Sequence, residues 1–467
     1  MNITKTMIAV LMAVSMMIAT SCDKDNDNDN NEQEHVDPSN YVAKNEAAIA
    51  KASIAMKVEI EPTDYTFYDY LRSQEFNAFK AKIGMFANKA AVAIGANSDG
   101  NTAISPVALF MALAMAAESA NGDTRQEILD AMGVTYEELN ANMLYLNYIC
   151  NQVLDNGGSQ SNGQNQIKCV NSLWVQNGVK VKDEGVKALT TKYYSDLFYM
   201  NFDEDDVNSI LTSYISNETH GLLSPDLDVK PDVLLILMNV VYLRDIWNRF
   251  GNEFSFTDQK YDFVNYDQSK TNTQLLCGHY NSGKAMETDV FRKFYISTNG
   301  ELKLTFIVPQ DGHSLDEIYT TEVLNAPSQY ITYDTESDPQ FNYSFHTRCL
   351  FPEFKAVFDD YLQDVFKKMG VKKFFNEFSC DFSNLTDELV YCSKFRHITK
   401  LEVTRKGIEG AAVAYESMDR QGSAGPGQKE KVWKDVYFDF PVDRDFAYIL
   451  SKDNIPIFTG VVKSINK

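Results

Sequence analysis

Leu234-Leu235-Ile236-Leu237-Met238-Asn239-Val240-Val241-Tyr242-Leu243 carries one amide in an otherwise apolar run. A half-exposed strand would alternate and an amphipathic helix would repeat every 3.6 residues. A run apolar on both faces therefore reads as a central strand covered on both sides. Asn239 is its anomaly. A buried amide without a partner costs on the order of 1 to 3 kcal/mol, so Asn239 should be hydrogen-bonded to something fixed.

Working outward, residues 167–175, 302–308, 435–440 and 446–450 also read as strands. Upstream, Ser105-Pro106 is the best helix start, since Ser caps and Pro fits the first turn; the run 107–117 that follows is apolar all round and hence buried. Asn121-Gly122-Asp123 ends that segment. Thr124-x-x-Glu127 reads as a capping box opening a second helix to about Met132, closed by Gly133. The pattern is α+β with a large sheet. No internal repeat and no long linker divides it, so it reads as one domain.

The 467 residues are 44% hydrophobic, enough for one large core, and the formal net charge of -22 repels phosphate backbones and anionic lipid surfaces. Nucleic acid is excluded as a partner on that ground. Lys5 precedes an apolar run from Met7 to Ala19, too short to span a bilayer, and small residues lead to Cys22. This reads as a secretory signal, and the Cys after small residues resembles a bacterial lipobox, implying lipidation at Cys22. The acidic stretch Asp23-Lys24-Asp25-Asn26-Asp27-Asn28-Asp29 cannot build a core and reads as a tether. Its Asp spacing imitates a calcium loop but has Asn28 where the sharp turn needs Gly, so no metal is expected. An acidic stretch directly after a lipidated Cys also resembles the surface-export signal of Bacteroidetes lipoproteins, implying the outer membrane, at the cell surface or its periplasmic face. The other six cysteines, at 150, 169, 277, 349, 380 and 392, form no C-x-x-C pair; they are open to disulfides or to a life as buried thiols.

Several segments in order resemble the serpin family. They are Asn101-Thr102-Ala103-Ile104-Ser105-Pro106 with Gly122-Asp123-Thr124, then Leu237 to Tyr242 with Trp247 and Phe250. Later come Phe351-Pro352-Glu353-Phe354-Lys355, Met369-Gly370-Val371, Phe375, Asp381-Phe382-Ser383, Phe446 and Phe458-Thr459-Gly460-Val461-Val462. Ala108 stands where the family usually repeats Ser, and Asp445 where it has Pro. The resemblance implies a large mixed five-stranded central sheet with further sheets, a helical cluster and an exposed reactive-centre loop. The chain then divides into a signal at 1–21, Cys22 and tether at 22–65, and a serpin domain at 66–467 with its loop at about 405–435. It further implies a shutter at Ser105, Asn239 and His397, with Asn239 bonded to His397, and a breach at Trp247.

Serpins inhibit mechanically: a protease cuts the loop, and the loop inserts as a new strand before the acyl-enzyme hydrolyses. Alternate hinge residues must therefore enter the core and should be small or apolar. The resemblance makes Gly407 the hinge glycine and Ile408, Gly410, Ala412 and Ala414 the inward set, while continued alternation turns Glu416 inward. Family spacing puts the attacked bond between Gln421 and Gly422. Arg420 is better bait for a trypsin-like pocket, and Lys429 and Lys431 are secondary candidates. The expectation is a monomeric inhibitor of serine, or else cysteine, endopeptidases without cofactor, touching membrane only through its lipid. The alternative is a non-inhibitory serpin that binds a partner or is simply cut. No G-x-S-x-G, H-E-x-x-H or Walker loop points to an enzyme.

Overall fold

The apolar run is the middle of a 14-residue strand, Val233–Ile246, nearly all of it buried. The computed structural model describes residues 7–17, 65–95, 98–154, 165–230, 232–247, 254–280, 285–327, 341–408 and 432–465. In chain order the elements begin with β1 (Met7–Met17), α1 (Tyr65–Leu71), α2 (Gln74–Gly95), α3 (Pro106–Ser119), α4 (Gly122–Met132) and α5 (Tyr136–Ile149). There follow β2 (Gln152–Val153), β3 (Gln166–Gln176), α6 (Asp183–Lys192), β4 (Asp196–Met200), α7 (Val207–Glu218) and β5 (Val233–Ile246). Next are β6 (Ser255–Phe256), β7 (Tyr261–Val264), β8 (Lys270–Thr273), β9 (Leu276–Tyr280), β10 (Ala285–Glu287), β11 (Phe291–Ser297) and β12 (Lys303–Pro309). The C-terminal part holds α8 (Leu315–Ile318), α9 (Thr321–Asn325), β13 (Phe341–Phe351), β14 (Phe354–Tyr361), α10 (Gln363–Lys368), β15 (Val390–Thr404), β16 (Gly407–Ile408), β17 (Val432–Pro441), β18 (Phe446–Lys452) and β19 (Ile455–Val462).

The largest sheet runs β14, β15, β5, β3, with β2 and β4 pairing opposite ends of the outer side of β3. Those are the five strand positions expected. A sixth lies in the middle, between β15 and β5, and two strands share it. At its upper end β16 pairs antiparallel with both neighbours. Below it β1 runs parallel to both, with Ala13 in register with Asn239 on one side and His397 on the other. The residues of β1 are those read as the secretory signal. A second sheet has the order β10, β11, β12, β18, β19 and a third β17, β13, β9, β6.

α3 fills the space beneath the large sheet. All 14 of its residues are buried, against α2, β5 and β19, as an Ala/Met/Leu run without a polar face requires. Ser105 caps it, accepting a hydrogen bond from Ala108 N at 3.4 Å, so Ala108 serves the cap through its backbone. The capping box placed at Thr124 and Glu127 is not one. α4 begins at Gly122 with Asn121 as its cap, and both residues lie inside the helix. Glu127 instead accepts the N–H groups of Lys372 and Lys373 at 2.6 and 2.7 Å, two donors that reaching back along its own helix would not supply. Gly133 closes α4 in the left-handed region, φ 73°. The real capping box is Thr135 with Glu138, which opens α5.

The C-terminal strands lock the centre. Thr102 N–H donates to Val461 O at 2.8 Å, Ile104 and Thr459 exchange backbone hydrogen bonds at 2.7 and 2.9 Å, and the Tyr448 hydroxyl donates to Thr102 O at 2.9 Å. Where these chains cross, Gly460 leaves no room for a Cβ, which would overlap the Thr102 carbonyl oxygen and lie 2.7 Å from its carbon. Asp445 is buried beside this hairpin, its N–H bonded to Val264 O at 3.0 Å, and burial pushes its carboxyl up to about 6. The cysteines at 150, 169, 349 and 392 are buried and those at 277 and 380 partly exposed, and none of the six is in a disulfide.

Candidate functional site: the central slot of the large sheet

Of the expected shutter, Ser105 and His397 meet and Asn239 stands apart from them. His397, on β15, is fully buried and its Nε2 accepts the backbone N–H of Ser105 at 3.0 Å. Two residues along the same strand the Thr399 hydroxyl donates to Ala103 O. β15 is thus fastened to the start of α3. Asn239, on β5, donates to Asn171 Oδ1 at 2.6 Å and to Cys169 Sγ at 3.0 Å, both on β3. The expected Asn239–His397 bond is not formed, because β1 separates the two strands, and the Asn239 carbonyl oxygen is left without a partner. Asn171 and Cys169 were legible only as alternate positions of one strand. Asn171 in turn donates to Tyr193 O at 2.7 Å, which makes it the fixed partner the buried amide required.

At the upper end of the slot, Trp247 closes the corner. Its ring stacks on Phe254, centroids 4.8 Å apart and planes 16° apart, and meets the edge of Phe351. Its Nε1 donates to Thr404 O at 2.8 Å. The turn from β15 into β16 is held from both flanks, by Phe254 N to Arg405 O and by Arg405 N to Glu353 Oε1, each 2.8 Å. The chain then enters the sheet. Gly407 pairs with Thr404 and Ile246, and Ile408 with Val403 and Asp245. Ile408 is fully buried, in the same core cluster as Leu243 and Val403, so it faces inward.

Asp245 escaped sequence reading, although an acid two residues before Trp247 at the end of an apolar strand was a visible signal. Its carboxylate accepts the Thr298 hydroxyl, Gly300 N–H at 2.7 Å and Ile246 N–H at 2.9 Å. Burial pushes it up to about 7 in spite of those donors. Gly410, Ala412, Ala414, Arg420, Gln421, Gly422, Lys429, Lys431 and Cys22 lie outside the described residues.

A strand that leaves the end of one strand, turns and re-enters beside it, at the head of a central slot, is what loop insertion requires. The family model described as Serpin (serine protease inhibitor) matches residues 82–465. The chain belongs to the serpin family. Among similar curated proteins, this serpin is 26% identical to Serpin A3-3 of Bos taurus over 335 residues, 69% of this chain and 76% of the other. Its fold is similar to tengpin, a thermophilic serpin, in the native state, with TM-score 0.65, 19% identity and 83% and 94% of the two chains covered. It is also similar to thyroxine-binding globulin in complex with thyroxine, with TM-score 0.64, 18% identity and 84% and 100% covered. The family is described by serine protease inhibition, while one protein of similar fold is named for binding thyroxine.

Proposed function

We propose that this serpin traps serine endopeptidases, trypsin-like ones first, by cleavage of the segment after Ile408 and insertion of that segment into the central slot. The observation that carries the reading is the hinge itself, Gly407 and Ile408, already paired between β5 and β15 at the slot's mouth. Continuing that register downward puts Gly410 beside Leu243, Ala412 beside Val241 and Ala414 between Asn239 and His397. Asn239, whose carbonyl oxygen lacks a partner, would then meet a backbone able to donate to it. The same register brings Arg420 to Val233, the first residue of β5. Cleavage at Arg420 or Gln421 therefore releases just enough chain to fill the slot, and cleavage at Lys429 or Lys431 leaves a slack tail.

In this reading residues 1–21 are a leader removed before Cys22, which is lipidated at the outer membrane, and the processed monomer keeps its slot free for the loop. Incorporation of labelled palmitate, expected in the wild type and lost in Cys22→Ser, checks that step. Labelling that survives the substitution refutes it.

One feature favours the second reading, a non-inhibitory serpin that is cut or binds a partner. In register, Glu416 falls beside Leu237 and Phe395, both buried in the main core, and a carboxylate entering there is costly. Mixing the protein with trypsin separates the two. Trapping gives a covalent complex that survives denaturing electrophoresis. The second reading gives cut protein, no complex and no rise in melting temperature. Glu416→Ala is expected to raise the complexed fraction several-fold, and an unchanged fraction would mean that this position never enters the sheet.

A further inference from the structure

Asp245 is buried from two sides by different parts of the chain. On one side sits the turn between β11 and β12, which supplies the Thr298 hydroxyl and Gly300 N–H, with Asn299 N–H bonded to Ile246 O at 2.8 Å. That side is closely packed. A Cβ on Gly300 would lie 2.7 Å from the Asp245 Oδ2 and 2.5 Å from the Leu154 Cβ, so the turn has no slack. On the other side sits β16, with Ile408 directly paired to Asp245. Directly opposed residues of antiparallel strands put their side chains on one face, about 5 Å apart. That second cover is the reactive-loop hinge, the part of the molecule the proposed mechanism requires to move.

We propose that Asp245 couples the position of the hinge to pH, docking of β16 going with proton uptake by this carboxyl and withdrawal of β16 with its release. This rests on the reading of Gly407 and Ile408 as a hinge. The charged groups around Asp245 do not cancel the effect. Lys452, at the end of β18, donates to Gly300 O at 3.0 Å and lies 3.8 Å from Glu301, so its charge is shared. Arg244 precedes Asp245 in β5, Arg405 and Lys406 stand in the turn before β16, and Glu353 holds the Arg405 N–H. Gly407 and Ile408 themselves bring no charge.

The direction follows from burial. With β16 docked, desolvation holds the Asp245 carboxyl up to about 7, against 3.8 for the ordinary group. With β16 withdrawn, water reaches it and the ionised form is favoured. The docked state therefore binds the proton more tightly. Docking is favoured at acid pH and that advantage is lost as pH rises through about 7. At acid pH the loop is held short and is a poorer target, and above neutrality it is free to be attacked.

Hydrogen exchange of the peptide spanning Thr404 to Ile408, measured by mass spectrometry on the full protein without protease, tests this independently of inhibition. After correction for intrinsic exchange, protection should fall about tenfold between pH 6 and 8. Asp245→Asn, which stays neutral, should hold the hinge protected at both. Thr298→Ala, which removes one donor to the carboxylate, should move the midpoint upward, and it serves if Asp245→Asn folds poorly. Protection independent of pH in the wild type, or a midpoint unmoved by Thr298→Ala, overturns the proposal. Failure to trap trypsin with the hinge titration intact would sink the inhibitory reading alone.

Discussion

Ile408→Glu is expected to abolish trapping while leaving the protein folded and cleavable. Ile408 is fully buried beside Asp245 and Val403, so a glutamate there puts a second carboxylate next to one that already lacks solvent. An arginine would be a weaker test, because it could pair with Asp245. A buried charge without an opposite partner costs about 3 kcal/mol or more. Expressed in the barrier to insertion, that slows the step about 100-fold. The acyl-enzyme then hydrolyses first, and the covalent band with trypsin gives way to cut serpin. The fold should survive, since β16 is a two-residue strand that can stay outside the sheet. A complex of undiminished yield would mean that the protease is held by something other than strand insertion.

Gly460→Ala is expected to be the most damaging small substitution in the core. The added methyl overlaps the Thr102 carbonyl oxygen, and Thr102 cannot retreat. Its N–H is bonded to Val461 O at 2.8 Å, its hydroxyl oxygen accepts Val461 N–H at 3.1 Å, and its carbonyl accepts the Tyr448 hydroxyl. Overpacking of this kind costs about 3 kcal/mol, against a total stability of only about 5 to 15. Gly84→Ala is the matched control. It lies inside α2 with nothing within 4 Å of the added methyl, where the change should be neutral or stabilise by up to about 1 kcal/mol. Thermal unfolding followed by circular dichroism should show a large loss for the first and none for the second. Equal melting temperatures would mean that the crossing at Thr102 is looser than described.

Much of this was legible in the residues. β5 and α3 were found within three residues of their ends because a run apolar all round has one cheap destination, the interior. Ile408 is buried, as its place in the expected inward set asked, while Gly410, Ala412 and Ala414 of that set lie outside the described residues. What failed was choice among partners. Glu127 had a local use as a cap and a distant one at Lys372, and only packing decides between them. Asn239 was assigned a partner across the slot, but β1 stands there and the amide turned to β3. Asp245 was overlooked for the opposite reason: its donors are a hydroxyl and two backbone N–H groups, which leave no signature in sequence.

The register at Gly407 and Ile408 also decides where this chain is free to change length. Surface loops usually tolerate added or missing residues anywhere, since the entropy of closing them grows slowly. Under the insertion proposed above that tolerance ends between residues 409 and 420, because losing one residue would exchange the sets meant for the core and for solvent, as a dropped letter shifts a reading frame. Glu409, Ala411, Val413 and Tyr415 would then be the ones asked to enter the interior. Past Gln421 the frame no longer matters, and it is there that the sequence carries its Gly- and Ser-rich surplus, Gly422-Ser423-Ala424-Gly425-Pro426-Gly427.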